Sequence, residues 1–340
     1  MTPSEHLIRA VDYHTAGEPF RILTDPLELR GRSVAERRQH AIEDPKINRL
    51  RQLLCYEPRG HADMYGGFIT PPDDDGAHFG VLFWHKDGFS TACGHGTIAL
   101  GVWAVQTGLV ELSTSGATEV VIDVPSGRVV ARVHSTGQRV THVDFVNVPS
   151  YVTASEIEVP TSGGTITVTL AFGGAFYAIV DTALPGLRVT HEHLPRLIAL
   201  GREIRQLLNG SPYVRHSSDP RLSGVYGTIF CEDLGRGASG DLLQRNVTIF
   251  ADGEVDRSPC GSGTCARLAA LHAAGQITTG QVLTHESIVG SRFQGRVLDT
   301  VTADHRPAVL PQVTGLAHKT GEHTFVVDPD DELTPGFVLR

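Results

Sequence analysis

The sequence predicts a mixed α/β (α+β) protein, richer in strand than in helix and built from two similar halves. Three observations carry this. Short β-branched runs recur along the 340 residues and are punctuated by 37 Gly and 19 Pro, the grammar of strands joined by turns. Few segments show helical periodicity. Most telling, TACGHGTIALGVWAVQTG (91–108) lies without a gap on SPCGSGTCARLAALHAAG (258–275), matching Cys93 with Cys260, Gly94 with Gly261, Gly96 with Gly263, Thr97 with Thr264 and Gly108 with Gly275. The cysteines stand 167 residues apart, about half the chain, so each half presents the same Cys-Gly-x-Gly-Thr turn.

Strands are expected at Val120 to Val124, Thr165 to Ala171, Gln244 to Phe250 and His323 to Val327. Helices are expected over Ser33 to Leu54, with an interruption, over His193 to Leu208, and in short segments after Cys93 and Cys260. In each repeat a glycine 15 residues past the cysteine is placed to stop the helix. Ile98 to Val105 is apolar nearly all round, which predicts a helix buried within a sheet-rich domain.

Composition narrows the function classes. The chain is 40% hydrophobic and 20% charged, with Lys+Arg 29 against Asp+Glu 38 and a net charge of −9. That balance, without basic runs, argues against nucleic-acid or anionic-membrane partners. No apolar run approaches 18 residues; Leu170 to Val180 is broken by Gly173 and Gly174. The start, MTPSEHLIRAVD, lacks a signal-peptide pattern, so the expected location is the cytoplasm. Five cysteines fit reduced thiols better than a disulfide framework. Cys55, Cys231 and Cys265 read as core residues.

A cysteine at a helix start meets the positive end of the macrodipole and bare amides, both of which favour thiolate. The same amides form an anion site suited to a substrate carboxylate. Two such turns across one cavity would provide an acid and a base on opposite faces of a carbon, which is what a racemase or epimerase needs, without a cofactor. Amides on the carboxylate would stabilise charge as the α-proton leaves. A zinc site from Cys93, His95, Cys260 and Cys265 lacks CxxC or His-pair spacing. A single-thiol hydrolase would need only one turn. A non-catalytic carboxylate-binding protein on the same scaffold stays open.

DRSPCGSGTCA (256–266), ACGHGT (92–97) and HTAGEP (14–19) resemble motifs of the proline racemase superfamily, which includes hydroxyproline 2-epimerases and trans-3-hydroxy-L-proline dehydratases. The likeness continues through RGHADMYGG (59–67), GGAFYA (173–178), YGTI (226–229) and the tail from Gly315. It implies a diaminopimelate epimerase-like fold: two pseudo-symmetric domains, 1–145 carrying Cys93 and 146–340 carrying Cys260, each a curled mixed sheet around a central helix. The C-terminal tail would pack back on the first domain, with the site in the cleft. By motif position, Cys93 and Cys260 resemble the two acid/bases at Cα; Gly94, His95, Gly261 and Ser262 the carboxylate cradle; and Asp256, beside His95, the partner of the ring ammonium. Tyr65 and Phe250 resemble the pocket walls. The implied substrate is hydroxyproline or proline, with no metal or cofactor and with a homodimer as one arrangement. The wording EPRGHADMYGG, GVLFWHKDG and GLAHKTGEHTF is most similar to the dehydratase branch, whose members usually carry Thr where this chain has Cys260. A second thiol restores the racemase-type pair, so epimerisation is the leading expectation and dehydration of trans-3-hydroxyproline its rival.

Overall fold

A computed structural model describes residues 6–113, 116–181, 186–237 and 240–339. In the first half run β1 (His6–Thr15), β2 (Glu18–Leu23), α1 (Val34–Glu43), α2 (Pro45–Cys55), β3 (Tyr65–Thr70), β4 (Phe79–His85), β5 (Gly88–Phe89), α3 (Gly94–Gln106), β6 (Ala117–Val124), β7 (Gly127–Thr136) and β8 (Arg139–Val146). In the second follow β9 (Tyr151–Thr161), β10 (Gly164–Phe172), β11 (Phe176–Asp181), α4 (Leu194–Leu208), β12 (Val225–Arg236), β13 (Leu242–Phe250), β14 (Glu254–Val255), α5 (Gly261–Ala273), β15 (Val282–Ser287), β16 (Arg292–Ala303), β17 (Arg306–Gly315) and β18 (Ala317–Val327).

The two halves repeat one topology. In the first, β2 runs parallel to β3 and β4 to β6, and β4 folds back on β5. In the second, β11 runs parallel to β12 and β13 to β15, and β13 folds back on β14. A parallel pair needs a crossover, and the central crossovers are α3 and α5. Strands β8 and β17 pair antiparallel, joining the halves into one continuous, curled ladder. Strand β18 returns to pair with β1 along its length.

Local chemistry explains the helices. The segment expected to be helical from Ser33 to Leu54 is split at Asp44, because Pro45 cannot donate and holds the preceding residue extended. Asp44 then caps α2, accepting from the Lys46 and Ile47 amides. Gly108 and Gly275 stop α3 and α5 with φ of 73° and 69°, the left-handed geometry that glycine adopts without a Cβ penalty. Every residue of α3 from Gly94 to Val105 is buried, and α5 is buried from Gly261 to Leu271. Helix α3 packs on β1, β7 and β8 and on the returning β18, and α5 on β9, β10, β16 and β17. Full burial of Ile98, Leu100 and Leu268 contributes about 1.5–3 kcal/mol each. No helix of the described residues is long and apolar enough to cross a membrane.

Candidate active site

The repeat places both cysteines at helix N-caps. The backbone carbonyl of Cys93 accepts from Thr97 N at 3.0 Å, and that of Cys260 from Thr264 N at 2.7 Å. The helix starts meet almost symmetrically. A Cβ at Gly94 would lie 2.6 Å from Gly261 Cα, and one at Gly261 would lie 2.7 Å from Gly94 Cα. Only glycine permits this approach. The second glycine of each turn makes room for sulfur: a Cβ at Gly96 would come within 2.8 Å of Cys93 Sγ, and one at Gly263 within 2.8 Å of Cys260 Sγ. Gly173 and Gly174 do related work, since side chains there would meet Ala266 N at 2.9 Å and Ala92 Cβ at 2.7 Å.

All nine residues singled out from the sequence line one pocket: Tyr65, Cys93, Gly94, His95, Phe250, Asp256, Cys260, Gly261 and Ser262. Tyr177, Tyr226 and Ala92 complete it and were not singled out. Their signal lay in the quoted motifs GGAFYA and YGTI and in the residue before the first cysteine, but nothing in the spacing assigned them a role. Tyr177 Oη is 2.7 Å from Ser262 Oγ and 3.9 Å from Cys260 Sγ. Tyr226 and Tyr65 share a hydroxyl contact at 3.0 Å. Free space in the pocket is about 10 Å³, room for about one water, so this is a closed arrangement.

The two turns differ in detail. Cys93 is extended, and its Sγ accepts from Gly96 N at 3.2 Å. Cys260 has φ 62° and ψ 103°, a region that costs a non-glycine residue roughly 1–3 kcal/mol. Its amide is anchored by donation to Ser258 Oγ at 3.1 Å, and the Ser258 hydroxyl in turn donates to Asp256 Oδ1 at 2.7 Å. The amides of Gly94, His95, Gly261 and Ser262 find no protein acceptor among the described residues, the bare anion cradle expected at helix starts.

Electrostatics correct one expectation. The helix termini were expected to lower the thiol pKa values, yet Cys93 and Cys260, each 5% exposed, are both pushed well above the ordinary thiol value. Burial is the main cause, opposed by the Gly96 amide at Cys93 and reinforced at both by the Asp256 charge. In so small and buried a pocket, desolvation exceeds the dipole effect. Burial also raises Asp256 to about 6, against the Ser258 hydrogen bonds, and holds His95 neutral, at about 3. Behind Asp256, Glu18 is fully buried; its Oε2 accepts from Arg257 N at 2.7 Å, and burial raises its pKa. Cys265, the fourth donor of the zinc alternative, is buried in the core and does not line the pocket.

The sequence model of the proline racemase family matches residues 10–338. The chain is 44% identical over 330 residues to a Bacillus cereus protein named trans-3-hydroxy-L-proline dehydratase, covering 97% of each. It is also 44% identical over 339 residues to a Burkholderia multivorans protein named 3-hydroxyproline 2-epimerase, covering 98% of each. Among solved structures, a hydroxyproline epimerase from Agrobacterium vitis with bound trans-4-hydroxy-L-proline superposes with a TM-score of 0.90 at 30% identity, over 98% of this chain and 96% of that one. A Bacillus anthracis protein of the PhzF family, 11% identical, shares the fold with a TM-score of 0.59 over 95% of this chain and 100% of that one.

Proposed function

The chain belongs to the proline racemase family, and from that premise we propose that it is a cofactor-independent 2-epimerase or racemase acting at Cα of a hydroxyproline or of proline. One observation carries the reading: two thiols, at the N-caps of two abutting helices, line the same pocket. The substrate carboxylate lies on the bare amides of Gly94, His95, Gly261 and Ser262, and its ring ammonium pairs with Asp256. Tyr65 and Phe250 wall the ring. In one direction the Cys93 thiolate removes the α-proton from one face while the Cys260 thiol delivers its proton to the other, leaving Cys93 protonated and Cys260 ionised. The opposite direction exchanges the roles. Amide donors hold the charge that develops on the carboxylate.

Residues 1–145 and 146–340 are read as the two domains, opening to admit substrate and closing to exclude water. The repeated topology of the halves and the closed pocket support this.

A second reading, dehydration of trans-3-hydroxyproline, is favoured by the Bacillus cereus relative at 44% identity. It shares the first step. Loss of the α-proton is then followed by departure of the 3-hydroxyl, which takes up a proton to leave as water; the resulting enamine gains a proton at C3 and loses the one on its ring nitrogen to become the cyclic imine.

One experiment separates these readings. NMR of proline, 4-hydroxyproline and 3-hydroxyproline in D₂O reads α-deuteration with inversion for an epimerase, loss of water for a dehydratase, and no change for a carboxylate-binding protein. Cys260→Ser is expected to reduce epimerisation by about 10²–10⁴-fold; retention of most of the activity would rule out the two-thiol scheme.

A further inference from the structure

Beside the closed pocket lies a larger cavity of about 300 Å³. Its walls come from both halves of the chain, including Arg38 of α1, Ser90 ahead of the first cysteine turn, Arg205 of α4, and Arg221 and Tyr226. Tyr226 faces both spaces, and Ser90 is hydrogen-bonded to Tyr65, which also contacts Tyr226. Three hydroxyls therefore form the partition between the cavity and the pocket.

The charge in this cavity is unbalanced. Arg38 donates through Nε and Nη2 to the Phe89 carbonyl at 3.0 and 2.6 Å, and Arg205 through Nε to the Val225 carbonyl at 3.0 Å. Neither has a carboxylate within ion-pairing distance among the described residues, whereas Arg221 is held by Asp219 at 2.7 Å. Asp87, the one carboxylate in the wall, is engaged by Lys86 at 2.7 Å. His85 is held neutral by burial. A guanidinium offers five N–H donors, so the Nη1 group of Arg38 and both terminal nitrogens of Arg205 remain available. Burial lowers the Arg38 pKa; Tyr65 and the Asp219 carboxylate act against this, and Arg221 adds repulsion. A half-buried cation with no carboxylate at ion-pairing distance is costly, and an oxyanion accepting from two guanidiniums offsets that cost.

We propose that this cavity is a second oxyanion site, distinct from the carboxylate cradle, whose occupant bridges Arg38 of the first half and Arg205 of the second and so favours the closed arrangement. The ligand class is a small carboxylate or a phosphate-sized anion, supplied either by a further amino-acid molecule or by free inorganic anion. The site does not depend on which reaction the neighbouring pocket performs.

Calorimetric titration of the full chain with inorganic phosphate tests this, with and without pyrrole-2-carboxylate, a planar carboxylate chosen to fill the cradle. About one phosphate per chain is expected with the cradle filled, weakened at least tenfold in Arg38→Gln/Arg205→Gln; any further equivalent seen only without pyrrole-2-carboxylate belongs to the cradle. A parallel titration with proline distinguishes the sources: a second proline equivalent that phosphate displaces marks the amino acid as an occupant, and its absence marks inorganic anion alone. Absence of phosphate binding, binding abolished by pyrrole-2-carboxylate, or equal binding in the double variant overturns the proposal. Arg205→Gln alone carries the same comparison if the double variant does not fold. Turnover is not the readout, so a failed epimerase reading leaves this result interpretable.

Discussion

Adding one methyl group at Gly94 probes how the two turns meet. A Cβ there lies 2.6 Å from Gly261 Cα and 2.8 Å from Ser262 N. Both are backbone atoms of a buried helix start, so neither can swing aside as a side chain would. Ordinary contact begins near 3.4 Å, so the helix starts must part by about 0.8 Å. Overpacking of this kind costs about 1–3 kcal/mol. A misplacement near 1 Å between reacting groups lowers rate on the order of 10²-fold. Gly94→Ala is therefore expected to fold with reduced stability and to exchange the α-hydrogen of its substrate roughly 100-fold more slowly. The assay is deuterium incorporation from D₂O, paired with thermal unfolding. Gly108→Ala is the control: its φ of 73° imposes a backbone penalty in place of a clash, since a Cβ there meets nothing within 4 Å, so it should lose stability of about 1 kcal/mol without losing rate. Exchange in Gly94→Ala within about threefold of the unsubstituted protein, at a rate where 10²-fold was expected, would refute the claim that the two sulfurs act on one centre held by this contact.

Cys260→Thr should abolish inversion while leaving any dehydration of trans-3-hydroxyproline within about tenfold, because only the second proton donor is lost; chiral chromatography with imine detection reads both products. Because burial raises Asp256 to about 6, its carboxylate is lost as pH falls through that value, and kcat/KM is expected to drop about tenfold per pH unit below it. In Asp256→Asn this acid limb should vanish from a much reduced rate; an unchanged limb would assign it elsewhere. His285 is fully buried and held neutral at about 3, so the unfolded chain binds a proton that the folded chain does not between about pH 6.5 and pH 3. Its contribution to stability is thus present above pH 6.5 and is lost as pH falls, by about 1.4 kcal/mol per unit. Denaturant titrations of His285→Gln should show a shallower acid decline by that amount.

Much of the architecture was legible because the chain states it twice. The gapless repeat located both central helices, and their stop signals at Gly108 and Gly275 needed no tertiary information. The break at Asp44-Pro45 was visible as an interruption but not as a junction of two capped helices, since capping depends on which amides the Asp44 side chain reaches. The candidate site was legible where a residue sits in a turn whose chemistry is local, as with Cys93, Gly94, Cys260 and Gly261. Tyr177 and Tyr226 were not. They reach the pocket from β11 and β12, where a parallel register sets Tyr177 beside Gly227, and strand pairing across 50 residues leaves no local periodicity to read. The Arg38–Arg205 cavity was equally hidden, because its arginines come from two helices that read in sequence as ordinary amphipathic segments.

The reversal of the thiol prediction shows how the closed pocket shapes the chemistry. A helix terminus stabilises an anion by about 0.3–1 kcal/mol when exposed, rising to about 2 kcal/mol in favourable buried geometry. Desolvation of a fully buried group can move its pKa by several units, at about 1.4 kcal/mol each. With Asp256 adding its own charge, Cys93 and Cys260 are both held as thiols in the closed pocket. On the two-thiol scheme proposed above, the thiolate forms while the cleft is open and hydrated, or in the presence of a cation that enters with the substrate. A ring ammonium against Asp256 meets the second condition, since it cancels the neighbouring negative charge that both sulfurs experience. In that proposed arrangement Asp256 would do more than anchor the ring nitrogen. On the same scheme it makes ionisation of the pair conditional on a bound cation, which keeps a reactive thiolate from persisting in the closed cleft when no substrate is there to use it.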